Sequence, residues 1–118
     1  MDTEHFYACL ANAERRRLLA LFAKEPELCV CELVDATLLP QPRISRHLAM
    51  FRKAALLVFR RSGTWLFYRL SQKMPLWAFR TLEMMLDAEA DSAEGKADRH
   101  RLKARPVRYA EADRQSGN

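Results

Sequence analysis

Apolar residues in the first half of the chain recur every three or four positions, the period of an amphipathic helix. Over residues 5–11, Phe6, Cys9 and Leu10 share that spacing and predict a short first helix. Asn12 is a capping residue type, and after it Leu18, Leu19, Leu21 and Phe22 form the buried stripe of a second helix that Pro26 closes. Residues 29–37 predict a short third helix with Leu33 facing inward. Pro40 and Pro42 bracket the start of a fourth, because a first helical turn has no amide partner for proline to lose. Within it Ile44, Leu48 and Phe51 make a core stripe, leaving Arg43, Ser45, Arg46, His47 and Arg52 on the remaining faces.

The period then changes. Residues 56–61 and 65–70 are rich in large apolar and aromatic residues, with Ser62-Gly63 between them, and predict a two-stranded hairpin carrying Arg60 and Arg61 near its tip. Trp65, Phe67 and Tyr68 read as strand packing rather than base-stacking groups. Pro75 opens a last helix with Leu76, Phe79, Leu82, Leu86 and Ala90 along one side. Beyond Asp91 the residues turn small and charged, predicting a flexible tail over residues 91–118 after a single domain over residues 1–90. A helix, a short helix, a polar-faced helix and a basic hairpin in that order describe a mainly α winged helix-turn-helix.

Charge strengthens that reading. The net charge is +5, yet residues 1–35 carry −3, while residues 36–82 hold nine Lys/Arg and no Asp or Glu. One central positive field covering the fourth helix and the hairpin is the electrostatic footprint of a polyanion binder. Gln41, Arg43, Ser45, Arg46 and His47, with Arg60 and Arg61 on the wing, are therefore the candidate DNA contacts. Arginine pairs bidentately with guanine and glutamine with adenine, whereas serine and some arginines hold phosphates. Two alternatives stay open: His47 as a core or capping histidine, and Arg60 and Arg61 as ordinary exposed charge. No stretch of about 18 apolar residues exists to span a membrane, and the acidic opening MDTEHFYACL is unlike a signal peptide. The expected compartment is the cytoplasm, where thiols stay reduced.

The chain contains three cysteines, Cys9, Cys29 and Cys31. It has no CxxC, no phosphate-cradling glycine loop and three glycines in all, so a thiol oxidoreductase or other enzyme is not expected. A CxC pair of soft donors suits soft or borderline ions, against the alternative of two buried thiols.

Several runs of residues carry a family resemblance in one register over about residues 6–88: LANAER at 10–15, ELCVCEL at 27–33, QPRISRHL at 41–48 and GTWLFYRLS at 63–71. On these the chain resembles the ArsR/SmtB metalloregulatory repressors, in their arsenic-responsive branch. The resemblance implies a homodimer built on the first and last helices. It also implies binding to double-stranded operator DNA of the protein's own resistance operon, with no cofactor needed, and release by trivalent arsenic or antimony. Zinc, cadmium, lead or oxidant sensing through the cysteines is the alternative. A third cysteine is common in the family where this chain has Val34, and Pro40 stands where a capping serine is common. The implied metal ligands are Cys29 and Cys31, with Cys9 either a third sulfur, from this chain or its partner, or a small apolar filler. Residues i and i+2 of a regular helix point about 200° apart. Two such thiols are expected to grip one ion only by unwinding the helix, which would reach the DNA-reading helix.

Overall fold

The computed structural model describes residues 1–105. Six helices and one hairpin follow in the order α1 (Thr3–Leu10), α2 (Ala13–Lys24), α3 (Val30–Thr37), α4 (Gln41–Lys53), β1 (Leu57–Ser62), β2 (Trp65–Leu70), α5 (Leu76–Ala90) and α6 (Ala93–Lys103).

The caps are local and legible. Asp2 Oδ1 accepts from the Glu4 and His5 amides, which starts α1 two residues ahead of the expected position. Asn12 Oδ1 accepts from the Arg15 amide at 3.0 Å and opens α2. Pro40 stands at the N-cap of α4 with Pro42 inside its first turn. Between α3 and α4, Leu38 takes a left-handed φ of 60° and its amide closes on Val34 O at 2.9 Å. That reversal turns α4 across α3.

One core joins these elements. Phe6 of α1, Leu18 and Leu19 of α2, Leu33 of α3, and Ile44, Leu48 and Phe51 of α4 are all buried in it. β1 and β2 are antiparallel, from the pair Leu57/Leu70 to the pair Ser62/Trp65. Gly63 and Thr64 thus form the two-residue turn, one position later than the expected Ser62-Gly63. Gly63 supplies a φ of 60° that a tight hairpin favours. A further pairing was invisible in the periodicity: Leu28 exchanges both backbone hydrogen bonds with Tyr68, at 2.9 and 2.8 Å, and so lies along β2.

The expected flexible tail is corrected over its first half. Residues 93–103 form α6, which packs on α2 and α3, and residues 106–118 of that tail lie outside the described residues. Ser92 Oγ caps it by accepting from the Gly95 amide at 3.0 Å. The small, charged composition hid a core helix because its inward side is polar. Asp98 is fully buried and accepts from Arg17 at 2.8 and 2.9 Å and from Arg101 at 3.0 Å. The same two arginines donate to Thr37 O and Ala36 O, the last carbonyls of α3. Leu102 completes the contact with the apolar core.

On α5, Ala78 and Leu82 face inward, whereas Leu76, Trp77, Phe79 and Met84 are exposed. Trp77 meets Phe6 and Tyr7 of α1, with ring centroids 5.1 and 6.4 Å away. An apolar surface therefore runs across α1 and α5.

Candidate nucleic-acid interface and thiol pair

α4 presents a positive polar face. Gln41, Arg43 and Arg46 are exposed, and Gln41 Nε2 donates to Ser45 Oγ at 3.0 Å. Arg46 has no ion-pair partner among the described residues. Arg43 is tied to α2 at its tip: its guanidinium donates to Glu14 Oε2 at 2.8 Å while its side chain stays 45% exposed. Arg52 and Lys53, at the other end of the helix, extend the basic face toward β1.

His47 is a correction to the expected contacts. It is 8% exposed and its Nε2 lies 3.0 Å from Glu14 Oε1. A carboxylate can only accept, so Nε2 carries the hydrogen. The i+3 spacing from Ile44 places His47 on the margin of the packing face, and Glu14 draws it in. His47 thus latches α4 to α2 and is not free to read a base. The hydrogen bond from His47, followed by that from Arg43, holds the Glu14 carboxyl below its ordinary value. A depressed folded value stabilises the fold in full above the ordinary glutamate value of about 4.3 and loses that stability as pH falls through the folded one. Glu14→Gln should therefore flatten the acid limb of a plot of urea midpoint against pH; a limb as steep as wild type would contradict the latch.

The wing also separates its two arginines. Arg61 is exposed one position from the end of β1 and has no partner among the described residues. Arg60 was expected beside it at the tip, but strand alternation turns it to the other face. It donates to Glu27 at 2.6 and 3.0 Å and lies 4.7 Å over the Phe67 ring. Arg60 is therefore a joint between the wing and the segment before α3.

That segment carries the thiols. Cys29 is the N-cap of α3, with φ −94° and ψ 167°, and Cys31 lies in its first turn. The expectation that the pair must unwind a helix to converge is overturned: it required helical backbone at Cys29, and Cys29 is extended. The Cα atoms are 5.5 Å apart, and the sulfurs, expected as separate reduced thiols, are bonded to each other. Cys29 is buried against Phe67, with Cys31 and Trp65 packed around them. Glu32 steadies the turn: its Oε1 accepts from the Cys29 amide at 3.0 Å, and Arg105 Nε, just past α6, lies 2.7 Å from its Oε2.

Cys9 is not brought to this pair. It is 1% exposed in the main core, where its thiol lies 3.7 Å from Met50 O of α4. Burial pushes its thiol pKa up, which disfavours the thiolate a soft ion needs. No three His, Cys, Asp or Glu side chains converge as a metal cluster among the described residues.

Sequence reasoning missed the carboxylates that organise the site: Glu14, Glu27, Glu32 and Asp98. Glu27 and Glu32 flank the CxC, but their arginine partners stand 33 and 73 positions away. Only the fold supplies that pairing. Arg15–Arg17 offered a partial signal as three adjacent cations at a helix start. Arg15 donates to Ala8 O and Cys9 O, Arg16 pairs with Glu89, and Arg17 with Asp98.

Comparison with known proteins bears on this arrangement. Residues 12–57 match the model of the bacterial regulatory protein, arsR family. The chain is 47% identical over 85 residues to the arsenic resistance transcriptional regulator ArsR1 of Pseudomonas putida, covering 72% of this chain and 66% of that protein. It is 40% identical to ArsR2 of the same organism, over 86% of this chain and 90% of the relative. Against the arsenical resistance operon repressor of Escherichia coli K12 the identity is 38%, over 75% of each chain. Among solved structures, HlyU from Vibrio cholerae superposes with a TM-score of 0.63 at 27% identity, over 73% of this chain and 89% of its own. The AntR antimony-specific transcriptional repressor gives 0.59 at 29% identity, over 70% and 72%.

Proposed function

The chain belongs to the arsR family of bacterial regulatory proteins, and on that premise we propose that it is a metalloid-responsive transcriptional repressor, not an enzyme. It binds an operator upstream of its own resistance genes and is released when trivalent arsenic or antimony occupies Cys29 and Cys31. The observation that carries this reading is the position of the thiol pair. It caps the first helix of the DNA-reading pair, while Leu28 beside it is hydrogen-bonded to the wing.

α4 enters the major groove with Gln41, Arg43, Ser45 and Arg46 toward the bases and phosphates, and Arg61 meets the flanking backbone. Occupancy of the thiols shifts residues 27–31, and with them both α3 and β2. The DNA surface is thereby changed at two of its supports. Such linkage typically amounts to about 1–3 kcal/mol, or roughly 5–150-fold in affinity.

The repressor is a homodimer. The apolar surface of Tyr7, Trp77 and Met84 across α1 and α5 supports this, because a two-fold axis there would cover it on both copies. Sedimentation equilibrium at micromolar concentration should give twice the chain mass; a monomer there contradicts the assignment.

The test of the function is fluorescence anisotropy of labelled upstream DNA, with and without arsenite or antimonite under reducing conditions. The expected result is tight binding that the metalloid reverses. Arg46→Ala should weaken binding to that site by about 1–3 kcal/mol if its guanidinium reads a base. Arg61→Ala should weaken all sequences alike and flatten the salt dependence, through counterion release. Unchanged binding in both variants would contradict the assigned surface.

A further inference from the structure

α3 is held along α6 at both of its ends. At its start, Arg105 Nε lies 2.7 Å from Glu32 Oε2, the two side chains being 12% and 1% exposed. The other Glu32 oxygen accepts from the Cys29 amide, so the cap of the thiol pair and the end of α6 meet on one carboxylate. Arg105 is itself fixed, because its Nη1 donates to Glu25 Oε1 at 3.1 Å and to Leu102 O at 2.8 Å. At the far end of α3, Arg101 of α6 donates to Ala36 O at 2.7 Å. Asp98 of α6 holds Arg17, which donates to Thr37 O at 3.0 Å. Beyond Thr37 the chain enters α4 after residues 38–40, and the Leu39 amide donates back to Thr37 Oγ1.

α3 has eight residues, a length of about 12 Å. A helix so short has little stability of its own, since isolated helices below about 12–15 residues are marginal in water. A displacement of its N-cap would fray the first turn before it moved the last. A charged tie on the first turn and hydrogen bonds to the last two carbonyls instead make α3 and α6 one body. We infer that α6 is a splint for α3, and that Arg105 is the positioning residue that carries a displacement at Cys29 and Cys31 through to α4. Arg105 acts through Glu32 rather than on a sulfur. This rests on the reading that a metalloid at the reduced pair releases DNA. The tie from Glu27 to Arg60 is a second route out of the pair, but it leads to the wing and not to α4.

The experiment measures DNA affinity of the reduced protein without and with saturating arsenite and takes the ratio, which a loss of stability alone does not move. Wild type should show the roughly 5–150-fold ratio of such linkage. Arg105→Met should bring it to about one, with DNA affinity in the absence of arsenite unchanged and one arsenic per chain still seen by native mass spectrometry. Arg105→Met leaves the buried Glu32 carboxylate without this cation and may not fold, so Glu32→Gln cuts the same tie with no buried charge stranded. Its amide oxygen can still accept from the Cys29 N–H, and Arg105 keeps Glu25 and Leu102 O. The ratio should fall to about one here too. With arsenite bound, the α3 amides of either variant should exchange with deuterium at least about tenfold faster than in wild type, because the cap frays instead of moving the helix. Lys103→Gln, an exposed charge loss on α6, should match wild type. Arg60→Met, which cuts the wing tie, should keep a higher ratio than either α3–α6 variant. A wild-type ratio in both Arg105→Met and Glu32→Gln, or loss of bound arsenic from them, overturns this proposal alone. Failure of arsenite to release DNA from wild type overturns the underlying reading, and this one with it.

Discussion

Asp98→Ala is expected to destabilise the protein by about 3–5 kcal/mol, the cost of leaving buried cations without their partner. Asp98 has a side chain 1% exposed and receives hydrogen bonds from Arg17 and Arg101. Arg17 is 15% exposed, so its charge would remain in a poorly solvated place once the carboxylate is gone. A guanidinium does not lose its proton in a protein, so Arg17 stays charged when Asp98 is removed. Both arginines also hold the carbonyls at the end of α3, so the loss spreads from α6 to the turn that sets α4. For a domain of this size each kcal/mol lowers the melting temperature by roughly 4–8 °C. Urea unfolding at matched protein concentration measures the effect, since a dimer's stability depends on concentration. The exposed Asp91→Ala is the control, expected within about 0.5 kcal/mol of wild type. A loss below about 1 kcal/mol in Asp98→Ala would mean that α6 is not held as described.

The double substitution Cys29→Ser/Cys31→Ser is expected to keep operator affinity and abolish release by metalloid. Neither sulfur belongs to the α4 or Arg61 surface, and the oxygen of serine is too hard and too weakly acidic to replace a thiolate on arsenic. Wild-type protein should lose roughly 5–150-fold in DNA affinity on saturation, and the double variant should lose none. Cys9→Ser should respond as wild type, because Cys9 lies in the core and not at the pair. Anisotropy under reducing conditions reads all three. Release of the double variant at the wild-type metalloid concentration would remove the pair from the sensor. Altered release in Cys9→Ser alone would make Cys9 the third sulfur, reached from the partner subunit.

Helix and strand periodicity alone determined the two-helix reading unit, the wing and the core stripe Ile44, Leu48 and Phe51. Each is a local pattern, because a side chain's neighbours three or four positions away fix which face is buried. The uninterrupted positive run over residues 36–82 likewise marked the candidate DNA-binding half, since net field needs no detailed geometry. The CxC spacing singled out Cys29 and Cys31 as the candidate sensor thiols. What the thiols and arginines do there was decided only by the tertiary structure. Cys29 became a partner for Cys31 because an N-cap is extended. His47 and Arg60 turned inward because Glu14 and Glu27 reached them from 33 positions away. α6 escaped a periodicity search because its buried side is built on Asp98, whose charge is tolerated by arginines from α2 and from α6 itself. Apolar burial follows from each segment's own pattern, whereas a buried charge is intelligible only with its counter-charge, and that counter-charge arrives by folding.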